Sequence, residues 1–435
     1  MVRKEIAMRL PPPHQGLEVK IPSFFRCPIS LDVMRSPVSL CTGVTYDRAS
    51  IQRWLDSGNT TCPATMLPLP STDLVPNLTL RSLIAHWAAS CSRTAGSAVS
   101  SVKSSPGGLV RQVESSGADP SPALRDLAAY LSDDDIDEFE KNALLGAGGA
   151  TEAVTSVLPR KGEEISVEGV EAAVRVLAAI VVSDGIEDAN KKRVVAGLGV
   201  DAAASVASLA RVLRGGSGLE ARIDAAGLAE FLLANAADEA KMAAAESSEL
   251  VAELIRLVGP VDEKGTLDRK AVDTGLSCLA AISASRRGAR AEMVRLGAVP
   301  AVVRALHATT EPGASAKALR ILESAVSFAE GRAALCEDAE EAVPAVVGKM
   351  MKAGRDGAEA AVTVLWAVCH RYKDRRAADA AAASEGGLTK LLLLMQSGCS
   401  PAARQMALEL LKIYKVNAKS CLAGYDSKTT HIMPF

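Results

Sequence analysis

The stretch Ile21-Pro22-Ser23-Phe24-Phe25-Arg26-Cys27-Pro28-Ile29-Ser30-Leu31, followed by Tyr46-Asp47-Arg48, Ile51 to Leu55, Cys62-Pro63 and Val75-Pro76-Asn77 with Leu80, decides the reading of this chain. Its cysteines are sparse. The residue three after Cys27 is Ser30, and Cys41 and Cys62 stand alone with no His within five residues of either. Structural zinc sites close on four Cys or His ligands, usually starting from a CxxC pair, so three scattered thiols cannot complete two of them. Side-chain hydrogen bonds, ion pairs and apolar packing must hold these loops instead, and no metal ligand or cofactor is assigned.

Local patterning agrees. Val38 to Leu40 and Val44 to Tyr46 alternate around Thr42-Gly43, the pattern of a small hairpin with glycine in its turn. Asp47 can cap a short amphipathic helix presenting Ile51, Trp54 and Leu55, which Gly58 ends in a left-handed conformation. Asn77 is a good N-cap for a second helix, whose Leu80, Leu83, Ile84 and Trp87 repeat at three, four and seven. Two loops flank the central helix, one carrying Pro28-Ile29 and the other Pro63-Ala64.

This layout resembles the U-box, the metal-free relative of the RING domain, over about seventy residues. The resemblance implies a shallow groove that docks a ubiquitin-conjugating enzyme (E2), with Pro28 and Ile29 in the first loop, Trp54 on the helix and Pro63 in the second loop at the contact. Rigid apolar side chains suit a small transient interface. For Trp54 the alternative is a place in the core, where aromatic residues at helical spacing usually sit. One position departs from the family: several U-boxes carry a cationic or amide side chain where this chain has Met66. A thioether cannot donate a hydrogen bond, so the resemblance implies weaker activation of the E2~ubiquitin conjugate unless another donor, such as Arg53, substitutes.

The remainder is a different kind of sequence. At 435 residues the chain exceeds one core and calls for several compact units or an extended solenoid. It is 48% hydrophobic but only 3% aromatic and rich in Ala, as stacked helices with small contact residues are. A net charge of -2 makes neither nucleic acid nor an anionic membrane an expected partner. No run of eighteen apolar residues and no signal peptide is visible, so no integral membrane segment is expected. Nine cysteines without regular spacing fit a reducing compartment. The expected location is cytoplasmic, with nuclear or membrane-associated pools left open.

Residues 1–20 form an N-terminal arm, 21–90 the U-box, and 91–121 a Ser/Gly-rich linker. Beyond it, apolar helical segments recur at Leu177, Phe231, Leu279, Leu322, Leu365 and Leu411, spaced by 54, 48, 43, 43 and 46. Such periods indicate armadillo or HEAT-like repeats, each burying its apolar face only against its neighbours. Gly199-Val200, Gly297-Ala298-Val299-Pro300, Ala342-Val343-Pro344 and Gly387-Leu388 each precede an apolar helix. The run at 297–303 resembles the start of an armadillo third helix. About six repeats are expected within 122–423, with Asp133 to Glu140 an exposed loop and 424–435 a tail.

The groove's ligand is not written in the sequence. Armadillo proteins that hold extended basic peptides show a ladder of Asn and Trp; this region has only Trp366 and few Asn. The cluster Arg371, Lys373, Arg375 and Arg376, with Lys412, Lys415 and Lys419, reads either as a solvated face or as a site for an acidic partner. His370 beside Cys369 reads as packing, because adjacent residues on a helix diverge.

The whole resembles the plant U-box/armadillo E3 ubiquitin ligases, and Thr430-His431-Ile432-Met433-Pro434-Phe435 looks like a stress and immune (plant defence) signalling subgroup. The fold class is mostly α: a small α+β U-box followed by an armadillo α-solenoid. The implied function is a RING-type E3 ubiquitin transferase without a covalent intermediate or catalytic nucleophile. It would hold E2-bound ubiquitin near a protein substrate on the repeats, and a U-box-mediated dimer is a further option. Two alternatives remain: a non-enzymatic adaptor with a weak or inactive U-box, and a zinc-binding RING.

Overall fold

The computed structural model describes residues 21–77, 79–81, 83–84, 87, 106–114, 119–133, 136–146, 148–160, 165–260 and 265–422, backbone only at 106 and 415–422. They divide into two compact units, Met1–Ser104 with Asp133–Asp137, and Ser105–Ser132 with Glu138–Phe435.

In the first unit, strand β1 (Pro37–Ser39) pairs antiparallel with β2 (Thr45–Asp47), Val38 facing Tyr46, and on its other edge with β3 (Val75–Pro76). Gly43, at φ 78°, supplies the left-handed residue of the expected hairpin turn. Helix α1 (Arg48–Asp56) follows directly from β2, buries Ile51 and is followed by Gly58 at φ 83°. Phe25, Cys27, Met34, Val38, Leu40, Tyr46, Ile51, Cys62 and Ile84 form the core. Two expectations fail in detail. Asp47 occupies the N-cap of α1, but its carboxylate accepts the N–H groups of Arg35 and Ser36 at 2.8 and 2.9 Å rather than one from the helix. After Asn77, whose Oδ1 caps Leu80 N–H at 3.0 Å, Ile84 is buried while Leu83 faces solvent. A pattern at three, four and seven spans more arc than this small core covers.

The second unit repeats a triplet of helices: short, intermediate, long. One triplet is Arg287–Arg295, Ala298–Ala308 and Pro312–Ala325; the next is Ala329–Glu337, Ala339–Lys349 and Gly354–Trp366. Consecutive long helices stack in series: Ser121–Ser132, Val167–Val182, Leu219–Asn235, Arg269–Ser283, Pro312–Ala325, Gly354–Trp366 and Pro401–Leu422. The six apolar markers fall one on each of the last six. Leu177, Leu279, Leu322 and Leu365 are fully buried, and Phe231 and Leu411 partly so.

Counted from the short helix, Gly297 opens the second helix of its triplet and not the third. It sits at φ 86°, where its N–H bonds the Val294 carbonyl at 3.0 Å. Glycine recurs at the equivalent Gly386, φ 66°. Ala342-Val343-Pro344 does not precede a helix but lies inside Ala339–Lys349, and Gly199-Val200 ends Asp188–Val200. Pro344 removes one main-chain hydrogen bond there.

The segment read as linker contains a helix, Pro106–Glu114, whose Leu109, Val110 and Val113 are buried against Ser121–Ser132 and Ala150–Thr155. The expected loop Asp133 to Glu140 is also partly structured. Helix Glu138–Leu145 takes its end, and Asp137, counted within the first unit, pairs with Arg81 at 2.9 Å. Among the described residues no single helix is long and apolar enough to cross a membrane. The arm 1–20 and tail residues 424–435, including Thr430 to Phe435, lie outside the described residues.

Candidate functional site: two matched loops on the first unit

The two loops flanking α1 are built alike. In the first, Cys27 N–H donates to the Asp32 carbonyl at 2.8 Å and Leu31 N–H returns to the Cys27 carbonyl at 2.9 Å. In the second, Cys62 N–H donates to Leu67 O at 2.9 Å and Met66 N–H to Cys62 O at 2.8 Å. Each loop reads Cys-Pro-x-x-x and ends in a left-handed non-glycine residue, Leu31 at φ 62° and Met66 at φ 57°. Such a conformation costs a bulky residue about 1–2 kcal/mol, so the surrounding bonds must impose it. One consequence is display: both side chains stand out into solvent.

Strand β2 anchors both loops. The Asp47 N–H donates to Cys27 Sγ at 3.3 Å, tying the first loop. The buried Tyr46 hydroxyl accepts Ala64 N–H at 3.0 Å and lies 3.0 Å from Cys62 Sγ, which also accepts from Thr42 Oγ1 at 3.3 Å. Burial acts to raise the Cys62 thiol, but hydrogen bonds from Thr42, Thr65 and Tyr46 outweigh it and hold the group at about 6. Cys27 is likewise lowered: burial opposes the shift, and hydrogen bonds from Ser30, Asp47 and Ile29 carry it. The Tyr46 phenol moves up, through burial and its neighbour Cys62. The thiols therefore act as hydrogen-bond acceptors at the loop bases. Their positions give no support to a thioester carrier, since both are buried.

Between the loops lies α1. Pro28 and Ile29 (37% exposed) are open to solvent, while Trp54 and Pro63 are half-buried. Trp54 packs against the core and donates Nε1–H to the Thr61 carbonyl at 2.8 Å, which fixes α1 to the second loop. Its own carbonyl accepts from Asn59 Nδ2 at 3.0 Å. Met66 is 67% exposed, and Arg53 donates its Nε–H to the Ala49 carbonyl at 3.1 Å. Phe24, Leu31 and Leu67 are further exposed apolar residues of the first unit. The paired Cys-Pro dipeptides were the available sequence signal for the matched loops. Nothing in Leu31 or Met66 marks a left-handed residue, which ordinarily favours Gly or Asn.

Residues 21–93 match the U-box domain family, and residues 124–432 match the plant U-box protein ARM repeat region. The chain belongs to the plant U-box/armadillo-repeat family. This family member is 38% identical to U-box domain-containing protein 28 of Arabidopsis thaliana, over 95% of this chain and 98% of that protein. It is 32% identical to U-box domain-containing protein 75 of Oryza sativa subsp. japonica, over 95% and 86%. Over 71 residues, 16% of each chain, it is 58% identical to the Arabidopsis thaliana E3 ubiquitin-protein ligase PUB22. A solved structure from work on a phosphorylation switch between cadherin and beta-catenin shares the fold at TM-score 0.51 and 14% identity, covering 81% of this chain and 62% of that one.

On the armadillo unit the long helices border clefts. One of about 700 Å³ lies between Arg269–Ser283 and Pro312–Ala325, where Lys317 bonds Asp273 and Ser277. Another of about 330 Å³ is lined by Val182, Asp224, Glu230, Phe231 and Lys270. Trp366 is not part of an Asn/Trp ladder: its Nε1–H donates to Glu409 at 2.5 Å and its ring stacks on His370 at 5.5 Å. Cys369 is buried while His370 is exposed, so the pair diverges. Arg371, Lys373, Arg375, Arg376 and Lys412 face solvent. Arg376 bonds the Cys336 carbonyl at 2.8 Å and Arg375 lies 4.0 Å from Asp379, while the side chains of Lys415 and Lys419 are outside the described residues.

Proposed function

We propose that this protein is an E3 ubiquitin-protein ligase that docks an E2~ubiquitin conjugate on Pro28, Ile29, Trp54 and Pro63. It would present a protein substrate held by the armadillo repeats, in the cytoplasm and in stress or defence signalling. The observation that carries the E2 reading is the matched pair of Cys-Pro loops around α1, each ending in a displayed apolar residue. Two rigid loops and a helix fixed by Trp54 give an interface that loses little conformational entropy on binding. A 71-residue stretch of the chain is 58% identical to a named ligase, and the U-box family match covers residues 21–93. The reaction needs no nucleophile from this chain. Thioester aminolysis moves ubiquitin from the E2 cysteine to a substrate lysine, and the ligase contributes proximity.

A second reading, an adaptor with an inactive U-box, draws on Met66, which cannot donate a hydrogen bond to the conjugate. Self-ubiquitination of the full chain with a panel of E2 enzymes separates the two. The ligase reading expects chain growth that falls more than about thirtyfold in Ile29→Ala, the loss of a central anchor worth about 2 kcal/mol. Failure to build chains with any E2 of the panel would leave the adaptor; full activity of a folded Ile29→Ala would displace the E2 face.

A further inference from the structure

The repeats allow equivalent positions to be compared along the solenoid, and the last one breaks the pattern. On the intermediate helices, the pairs Val251/Ile255, Val299/Val303 and Val343/Val347 are 0–8% exposed, because the intermediate helix of the following triplet covers them. In the last triplet the same two positions are Leu388 and Leu392, each 45% exposed. On the long helices, Leu276, Leu319 and Val362 are fully buried, whereas their counterpart Leu408 is 40% exposed. Arg256, Arg304 and Gly348 occupy a position that the last triplet fills with Leu393, 47% exposed.

Solenoid ends require polar capping faces to stay soluble. The opposite end of this unit is closed by its own helix, Pro106–Glu114, which lays Leu109, Val110 and Val113 against the first long helix. At the last triplet the sequence keeps, and even adds, leucine where a cap would be polar. On the last long helix the exposed Arg404 and Lys412 flank Leu408 one turn to either side, while Thr389 and Gln396 are exposed neutral residues of the leucine-bearing intermediate helix.

We propose that this end face is a homodimer interface: the Leu388, Leu392, Leu393 and Leu408 surface of one chain packs on the same surface of a second copy. The argument is continuity. The face is the repeat-to-repeat interface of the solenoid, uncovered among the described residues, and its four leucines would bury one another across a two-fold contact. The surface is independent of the E2 face, and its failure would leave the proposed ligase function untouched.

Sedimentation of the full-length chain over a concentration series tests it. A reversible monomer–dimer equilibrium is expected, weakened at least about thirtyfold by the double substitution Leu392→Lys, Leu408→Lys, since each places a charge in a desolvated contact. Leu393→Gln, which adds no charge, should weaken association in the same direction by about tenfold. Val200→Lys, at an exposed site elsewhere, should leave it unchanged. Circular dichroism must match the parent for each variant; if the double variant misfolds, Leu393→Gln decides. A parent chain that stays monomeric, or association indifferent to these variants, overturns the proposal. So does a monomer that dimerises only after removal of residues 423–435, which would show that the chain's own tail covers the face.

Discussion

The U-box and the armadillo unit order their parts of the chain in opposite ways. Among the described residues the U-box core is nine buried residues, and its loops are set by a handful of polar contacts converging on Tyr46, Asp47, Cys27 and Cys62. The armadillo unit spreads its core over triplet after triplet, each seen only by its neighbours. Concentrated anchoring makes a precise surface from few residues, and each anchor is hard to replace. Distributed packing tolerates loss at one layer, and it can be extended or ended at any repeat.

The largest expected effect is on the distributed side. Leu276→Ala should destabilise the armadillo unit by about 2–5 kcal/mol, the usual cost of a cavity at a fully buried leucine. The U-box should be unaffected, because the mutated site shares no partners with it. Calorimetry of the full chain, with the U-box alone as a marker for its transition, would break the comparison if both transitions moved together.

Tyr46→Phe tests the concentrated side. It keeps the ring and removes one hydroxyl, leaving the Ala64 N–H without its acceptor. A cost of about 0.5–1.5 kcal/mol to the U-box is expected, the net worth of one hydrogen bond, since Ala64 is exposed and water can take the freed donor. Ubiquitin transfer should fall more than stability does, since the second loop loses its anchor. Equal transfer by a folded Tyr46→Phe would show that the hydroxyl does not set the loop.

A smaller effect follows from the Cys62 thiol, held at about 6 against an ordinary 9.0. A lowered acid-type group contributes stability that is full above its unfolded value and is lost as pH falls through its folded one. The U-box should therefore gain stability from pH 6 to pH 9 through this group, and Cys62→Ser should flatten the profile. Denaturant midpoints across that range check it, and parallel profiles for the two proteins would contradict it.

The smallest expected effect is none. A strong chelator should leave the melting of the U-box unchanged, because the loop thiols are engaged by N–H and O–H donors. Metal-dependent folds lose their binding energy, and with it their structure, on stripping. Collapse in chelator would make the anchoring metallic after all.

Much of this architecture was legible because it rests on period and on residue type. The hairpin at Thr42-Gly43, the cap at Asn77 and the six apolar markers each state a local rule that the fold obeys. What failed were statements about partners across the fold. Asp47 sits where a cap belongs, yet its carboxylate goes to Arg35 and Ser36 because that loop brings two N–H groups nearer. Leu83 follows the helical period and still faces solvent. The Ser/Gly-rich segment hides Leu109, Val110 and Val113, whose burial depends on the first long helix lying beside them.

The sequence by itself determined the two-part organisation, the lack of closed Cys/His ligand sets in the first unit and the repeating of the second, since each follows from spacing along one chain. Only the tertiary structure decided that Tyr46 and Asp47 anchor two loops from one strand, that Leu31 and Met66 are turned left-handed into solvent, and that Leu388, Leu392 and Leu408 lack the cover their counterparts have. Those facts depend on which groups meet across tens of residues. Period and propensity specify how a segment folds; packing alone specifies what it is folded against.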